Sequence, residues 1–297
     1  MSSHAQTLQS HYPWTASPLI TSAPMRLIAH EDLTLSVSHS QGLGFLGVGT
    51  DVSAFSSILN SCTTSLQQAP IPNTPSEILP IGVGFICWGA DLDAAVSVIR
   101  SAGAKPAAAW LFAPKAPSDL VTWSKCIREA SAGKTKIWIQ VGTVATALEV
   151  ARTCQPDVLV IQGSDAGGHG LAQSSSIISL FPECFDALAR GIMDGRGVAA
   201  ATMLGASGVC MGTRFLCSPE AAISNGYRNA VLGASDGGVS TARTTVYDKL
   251  RRTNGWPEHY NARGVLNDSF WDHEKGLGEE ENRRLYEEAM KTGDAGW

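Results

Sequence analysis

Short, almost unbroken apolar runs return along this chain about every 20 to 30 residues, with a helix-like segment after most of them, and few folds accommodate that rhythm. The runs occupy residues 18–24, 43–49, 79–85, 107–112, 136–142, 157–163 and 208–215. They are apolar on both faces rather than alternating, as strands are when a parallel sheet is covered on both sides. Between them, Leu92, Ala95, Val96 and Ile99 fall at i, i+3, i+4 and i+7 behind Asp91 as an N-cap. Val144, Ala147, Leu148 and Ala151 repeat that spacing behind Thr143. Seven runs, nearly all ending in glycine-rich or polar text, predict a TIM-type (β/α)8 barrel in preference to an open doubly wound sheet.

The count is one strand short. The interval from Gln162 to Gly208 is roughly twice the usual repeat, so a strand is due midway. The text there, "ISLFPECFDALARGIMDGRGVAAATMLGA", predicts a helix over 182–190, a turn, and a second helix over 196–204, with no β-branched run between them. The expectation is therefore a barrel lacking most of strand 7. From Thr241 the chain turns aromatic and polar and then ends in a charged helix, which predicts an appendage wrapped on the barrel rather than a second domain. The whole of 1–297 is expected to be a single domain, with 15–240 as barrel core and 241–297 as a shortened C-terminal appendage.

Composition narrows the function. A hydrophobic fraction of 44% and a charged fraction of 16% are those of a globular protein. A formal net charge of -5 leaves no electrostatic footprint for nucleic acid or an acidic membrane. No apolar run reaches membrane-spanning length, and the N-terminus lacks the layout of a secretion signal. Seven cysteines with no CxxC pair point to reduced thiols and a cytoplasmic location. P-loop, dinucleotide-fingerprint and histidine–carboxylate metal spacings are all missing from the text. The oligomeric state has no signature.

Ligands in such barrels sit at the C-terminal ends of the strands. Three strand ends here are unusual. "SAPM" places Pro24, which has no backbone donor, beside the polarizable Met25. "QGSDAGGHG" (162–170) combines glycines that let backbone approach a flat or anionic ligand with Gln162, a donor and acceptor, and His169, a side chain of the type that moves protons in catalysis. A turn carrying a solvated histidine is the plainer reading of the same text. "GVCMGTRF" ends in Gly212, Thr213 and Arg214, whose amides, hydroxyl and guanidinium suit a phosphate; Arg214 paired to a carboxylate in the barrel floor is the alternative. Trp88 in "GFICWG" either caps the barrel mouth or packs between helix and strand. The "KLRR" run and the Asp236-Gly237-Gly238 turn read as solvated surface.

Together, "SAPM" (22–25), "GLGFLG" (42–47), "QGSDAGGHG", "GIMDGRGVAAA" (191–201) and "MGTRF" (211–215) resemble the nitronate monooxygenase family, formerly 2-nitropropane dioxygenases, over residues 18–297. The resemblance implies an FMN-dependent barrel oxidoreductase that converts alkyl nitronates or nitroalkanes, with O2, to a carbonyl compound and nitrite. It implies that Ala23, Pro24 and Met25 line the flavin ring, that Gln162, Gly168, Gly191 and Met211 contact the cofactor, and that Gly212, Thr213 and Arg214 hold its phosphate. His169 would be the catalytic base. Family members carry a seventh strand ending "AAGGI", of which Gly191 and Ile192 are what this sequence keeps. Two other readings stay open: a flavin-dependent NAD(P)H enoyl or quinone reductase, and a non-catalytic barrel remnant with a damaged flavin site.

Overall fold

The computed structural model describes residues 3–187, 202 and 206–292. Its strands are β1 (Leu19–Ser22), β2 (Phe45–Gly49), β3 (Ile78–Ile86), β4 (Lys105–Phe112), β5 (Lys136–Val141), β6 (Val158–Ile161), β7 (Gly168–Leu171), β8 (Gly208–Met211), β9 (Thr241–Thr244) and β10 (Tyr260–Val265). Strands β2 to β6 form one parallel sheet in chain order, and β1 pairs in parallel with β8. A parallel bridge between Thr21 and Leu43 ties β1 to the neighbourhood of β2. The parallel order is thus β8-β1-β2-β3-β4-β5-β6, and each of these strands coincides with an apolar run. The segment 189–195, where a seventh strand is missing from the text, lies outside the described residues, as do Gly191 and, apart from residue 202, the helix expected over 196–204.

Local chemistry accounts for the helix starts. The Asp91 carboxylate accepts the Ala94 amide at 3.0 Å ahead of the helix Leu92–Ser101. The Thr143 hydroxyl accepts the Thr146 amide at 3.2 Å ahead of Val144–Cys154. Each satisfies one of the amide donors that a helix start leaves unpaired. The helix expected from residue 182 begins instead at Ile177 and runs to Ala187, with Pro182 inside it. Proline favours a first turn, which misplaces the start when text alone is read. The true start is held by Asp165, whose Oδ1 accepts the Ile177 amide and whose Oδ2 accepts the Ser176 hydroxyl, both at 3.0 Å.

The core is filled by rings matched to glycines. Phe45 packs edge-on to Trp110 with centroids 5.2 Å apart, and Trp110 stacks on Trp138 at 5.7 Å. Gly82 lies opposite Phe45 in register, and a Cβ there would overlap the Phe45 ring. Both indole donors are satisfied: Trp110 Nε1 donates to Gln140 Oε1 at 2.9 Å and Trp138 Nε1 to the buried Tyr12 hydroxyl at 2.7 Å. Among the described residues all seven cysteines are free. Cys87 is buried just past β3, and desolvation pushes its thiol up to about 12. Cys87 is therefore expected to resist iodoacetamide at about pH 8 in the folded protein and to react once the chain is denatured, because the thiolate is the nucleophile; peptide mass spectrometry checks this.

Two segments depart from the sequence expectation. Part of the "QGSDAGGHG" stretch, read as a loop, is strand β7, which pairs antiparallel with β10 of the tail, itself paired with β9. The run 208–215 is strand only to Met211, and Thr213–Leu216 makes a helical turn. The tail also has a small core of its own: Val246 and Leu250 are buried with Tyr286 of the charged C-terminal helix Glu279–Thr292. Within "KLRR" the Leu250 side chain is thus core, whereas Lys249, Arg251 and Arg252 are exposed.

Candidate active site

The three unusual strand ends meet. The Ala23 amide donates to the Met211 carbonyl at 3.0 Å, which places the residues after β1 beside those after β8. A Cβ built on Gly212 would lie 3.7 Å from Ala23 Cβ and 3.8 Å from Met25 Sδ. One built on Gly167 would lie 3.3 Å from Thr213 Oγ1, so the AGGH stretch reaches the same spot. Pro24 packs on β3, where a Cβ on Gly84 would strike its ring. Gly168 has φ +72 and no atom within 4 Å of its missing Cβ, and it is exposed. Arg214 is exposed and, among the described residues, has no carboxylate partner; the barrel-floor ion pair is not what this residue makes.

Gln162 uses its amide on the protein rather than keeping it free: Nε2 donates to the His169 carbonyl at 2.9 Å, and Oε1 fills the space beside Gly170. His169 is half-buried, with its ring held on two sides. Nε2 lies 3.0 and 3.1 Å from the two carboxylate oxygens of Asp248. Trp256 stacks on the ring with centroids 3.7 Å apart and 9° between planes. Trp256 in turn meets Trp88 at 5.6 Å, Phe112 at 6.0 Å and Tyr260 at 6.1 Å. Trp88 thus joins an aromatic wall built with the tail, and a Cβ on Gly255 would strike its ring. A turn with a solvated histidine does not describe this arrangement.

The tail also clamps the glycine-rich stretch from outside. Arg243 on β9 donates from Nε to the Ser164 carbonyl at 3.0 Å, and from Nη1 to Asn261 O and Oδ1 at 3.0 and 3.1 Å. Arg263 on β10 reaches the same Ser164 carbonyl at 3.3 Å. Burial, and after it the neighbouring Arg263 charge, lower the pKa of Arg243, while Asp165 opposes them. Asp248, Trp256 and Arg243 had no signal in the text: "ARTTVYDKLRRTNGWPEHY" has no periodicity, and Asp248 lies 79 residues from the ring it meets.

The chain is 45% identical over 305 residues to nitronate monooxygenase npaC of Metarhizium robertsii, a match covering 98% of this chain and 85% of that protein. This chain belongs to the nitronate monooxygenase family. A second family relative, nitronate monooxygenase of Neurospora crassa, is 36% identical over 97% of this chain and 83% of its own length. The nitronate monooxygenase family profile matches residues 121–253, which hold both the AGGH and MGTRF motifs and Asp248. Two solved structures share the fold. FabK from Thermotoga maritima superposes with a TM-score of 0.69 at 22% identity, over 96% of this chain and 82% of that one. Nitroalkane oxidase from Streptomyces ansochromogenes superposes at 0.69 and 19%, over 98% and 89%. The fold of this family member is accordingly the TIM-type (β/α)8 barrel.

Proposed function

We propose that this protein is an FMN-dependent oxidoreductase that converts alkyl nitronates or nitroalkanes, with O2, to a carbonyl compound and nitrite. Family membership supports a flavin-dependent oxidation of nitronates. The observation that carries the reading is His169, held by Asp248 and Trp256 in a glycine-rich stretch that touches the residues following β1 and β8. A planar, phosphorylated cofactor fits what surrounds it. Gly168 is open, Gly212 faces Ala23 and Met25 with no Cβ of its own, and Arg214 is a guanidinium exposed without a carboxylate partner among the described residues. Ala23, Pro24 and Met25 would lie against the ring, with Gln162 and Gly168 at its edge. Met211 would contact the cofactor, and Gly212, Thr213 and Arg214 would hold the phosphate. Bound FMN would supply the oxidation of the electron-rich nitronate carbon, with O2 completing the conversion.

The protein's own residues bind, orient and handle the proton. His169 takes the α-proton of a nitroalkane or orients the nitronate that has already lost it. The aromatic wall of Trp256, Trp88, Phe112 and Tyr260 keeps water from one side of that ring. We read 1–297 as one domain because β10 of the tail hydrogen-bonds β7, and we assign a cytoplasmic location on the free thiols. Among the described residues no helix is long and apolar enough to cross a membrane. The reductase reading rests on a likeness of fold alone. The remnant reading rests on residues 189–195, outside the described ones.

The test is to purify the protein, record its flavin spectrum, and measure nitrite and carbonyl product from a nitronate under air. Arg214→Ala is expected to weaken FMN about tenfold or more while leaving riboflavin, which lacks the phosphate, unaffected. Equal affinity of the parent and Arg214→Ala for FMN would overturn the phosphate placement. A protein that stays colourless after soaking in FMN would overturn the enzyme.

A further inference from the structure

We propose that Asp248 is a positioning residue for His169: it holds the imidazole as the Nε2–H tautomer and so reserves Nδ1 as the atom that removes the α-proton of a neutral nitroalkane. The inference rests on the reading of His169 as the base. An ionised carboxylate only accepts hydrogen bonds. With both Asp248 oxygens at 3.0 and 3.1 Å from Nε2, the proton of the neutral ring belongs on Nε2. Among the described residues no hydrogen bond reaches Nδ1, which is left with its lone pair. Trp256, parallel to the imidazole at 3.7 Å, keeps the ring from turning out of this orientation.

Asp248 itself is an unusual residue to find here. It is 8% exposed, on the short helix Val246–Leu250, whose Val246, Tyr247 and Leu250 are buried packing residues. A carboxylate taken out of water is costly unless donors compensate it. The Thr253 hydroxyl supplies one at 3.0 Å to Oδ1, and the imidazole supplies the other. Nothing in the packing of that helix calls for a charge at this position, so the carboxylate is accounted for by the ring it faces. The step it serves is simple to balance. The Cα–H bond of the nitroalkane breaks, its electron pair stays on the forming nitronate, and the proton goes to Nδ1. The ring then carries a positive charge with its Nε2–H directed at Asp248. No oxidant or reductant is needed for this step.

A substrate that has already lost its proton bypasses the step, and that separates positioning from mere support. In the flavin-loaded protein, Asp248→Asn is expected to lower kcat/KM for neutral nitroethane by about a hundredfold or more, because an amide can hold the ring in the wrong tautomer. Turnover of pre-formed ethylnitronate is expected to fall far less. An independent readout uses the flavin-free protein: 15N NMR of His169 should show the Nε2–H tautomer in the parent and a mixture with Nδ1–H in Asp248→Asn. Should Asp248→Asn fail to fold, Thr253→Ala removes one donor and keeps the carboxylate; it should lower the nitroethane-to-nitronate rate ratio by a smaller factor. Equal losses on both substrates, or an Nδ1–H tautomer in the parent, would overturn the proposal. A parent that binds flavin but turns over neither substrate overturns the functional reading instead, while the tautomer measurement still decides the role of Asp248.

Discussion

Replacing His169 with asparagine is expected to cut nitrite release from a neutral nitroalkane by about a hundred- to ten-thousandfold, the usual contribution of a positioned general base. The cofactor should stay bound, because the residues assigned to hold it lie at the ends of β1, β6 and β8 and at Gly168 of β7, and the contact His169 makes through its own main chain, with Gln162 Nε2, does not depend on the side chain. The variant should therefore remain yellow and lose turnover. It should also lose stability, since the buried Asp248 carboxylate gives up its imidazole donor; a buried acceptor that loses a hydrogen-bond partner costs about 1–3 kcal/mol. The asparagine amide recovers part of that by donating in place of Nε2. Nitrite assays, flavin absorbance per protein and thermal melts separate the three effects. Full turnover of a neutral nitroalkane by the asparagine variant would remove His169 from the chemistry.

Gly47→Ala is expected to have the second large effect, this time on cofactor content. A Cβ at this position in β2 would collide with the main chain of Met25, at its carbonyl carbon and oxygen, and lie 3.0 Å from the Arg26 amide nitrogen. Backbone cannot swing aside as a flexible side chain can. The segment 23–26 must move, and with it Ala23, Pro24 and Met25, the residues assigned to the flavin ring. The Gly47 amide also donates to the Ala29 carbonyl at 2.8 Å, so the same strain reaches the turn that follows. Overpacking of this kind costs about 1–3 kcal/mol. The expected result is a lower melting temperature together with a protein that purifies with little flavin. Gly103→Ala is the control, because no atom lies within 4 Å of its missing Cβ. If Gly47→Ala binds FMN as tightly as Gly103→Ala does, Met25 is not part of the cofactor site.

Much of the barrel was legible in the text because its strands are buried on both faces. Ile81, Val83 and Phe85 of β3, like Ala107 to Leu111 of β4, have nowhere polar to point, and an unbroken apolar run is the direct record of that. The helix starts at Asp91 and Thr143 were legible for a similar reason: a cap is a contact between residues three positions apart. Ile177 was not, since its cap comes from Asp165, twelve residues upstream and across a strand. Strand β7 was not either. "GHGL" is poor in the branched and aromatic residues that favour strands, and it is extended because β10 pairs with it from the tail.

What the sequence determined alone is therefore the parallel strands and the chemistry at their ends: which runs become those strands, and that small residues, a histidine and an arginine follow them. Those outcomes depend on interactions between near neighbours and on burial of whole runs, both of which leave a local pattern. The tertiary structure alone decided what the histidine faces. Asp248, itself held by Thr253, and Trp256 reach His169 because β9 and β10 fold the tail back onto β7. Electrostatic and stacking contacts act over a few ångströms whatever the distance along the chain, so they leave no spacing for a reader of the text to find.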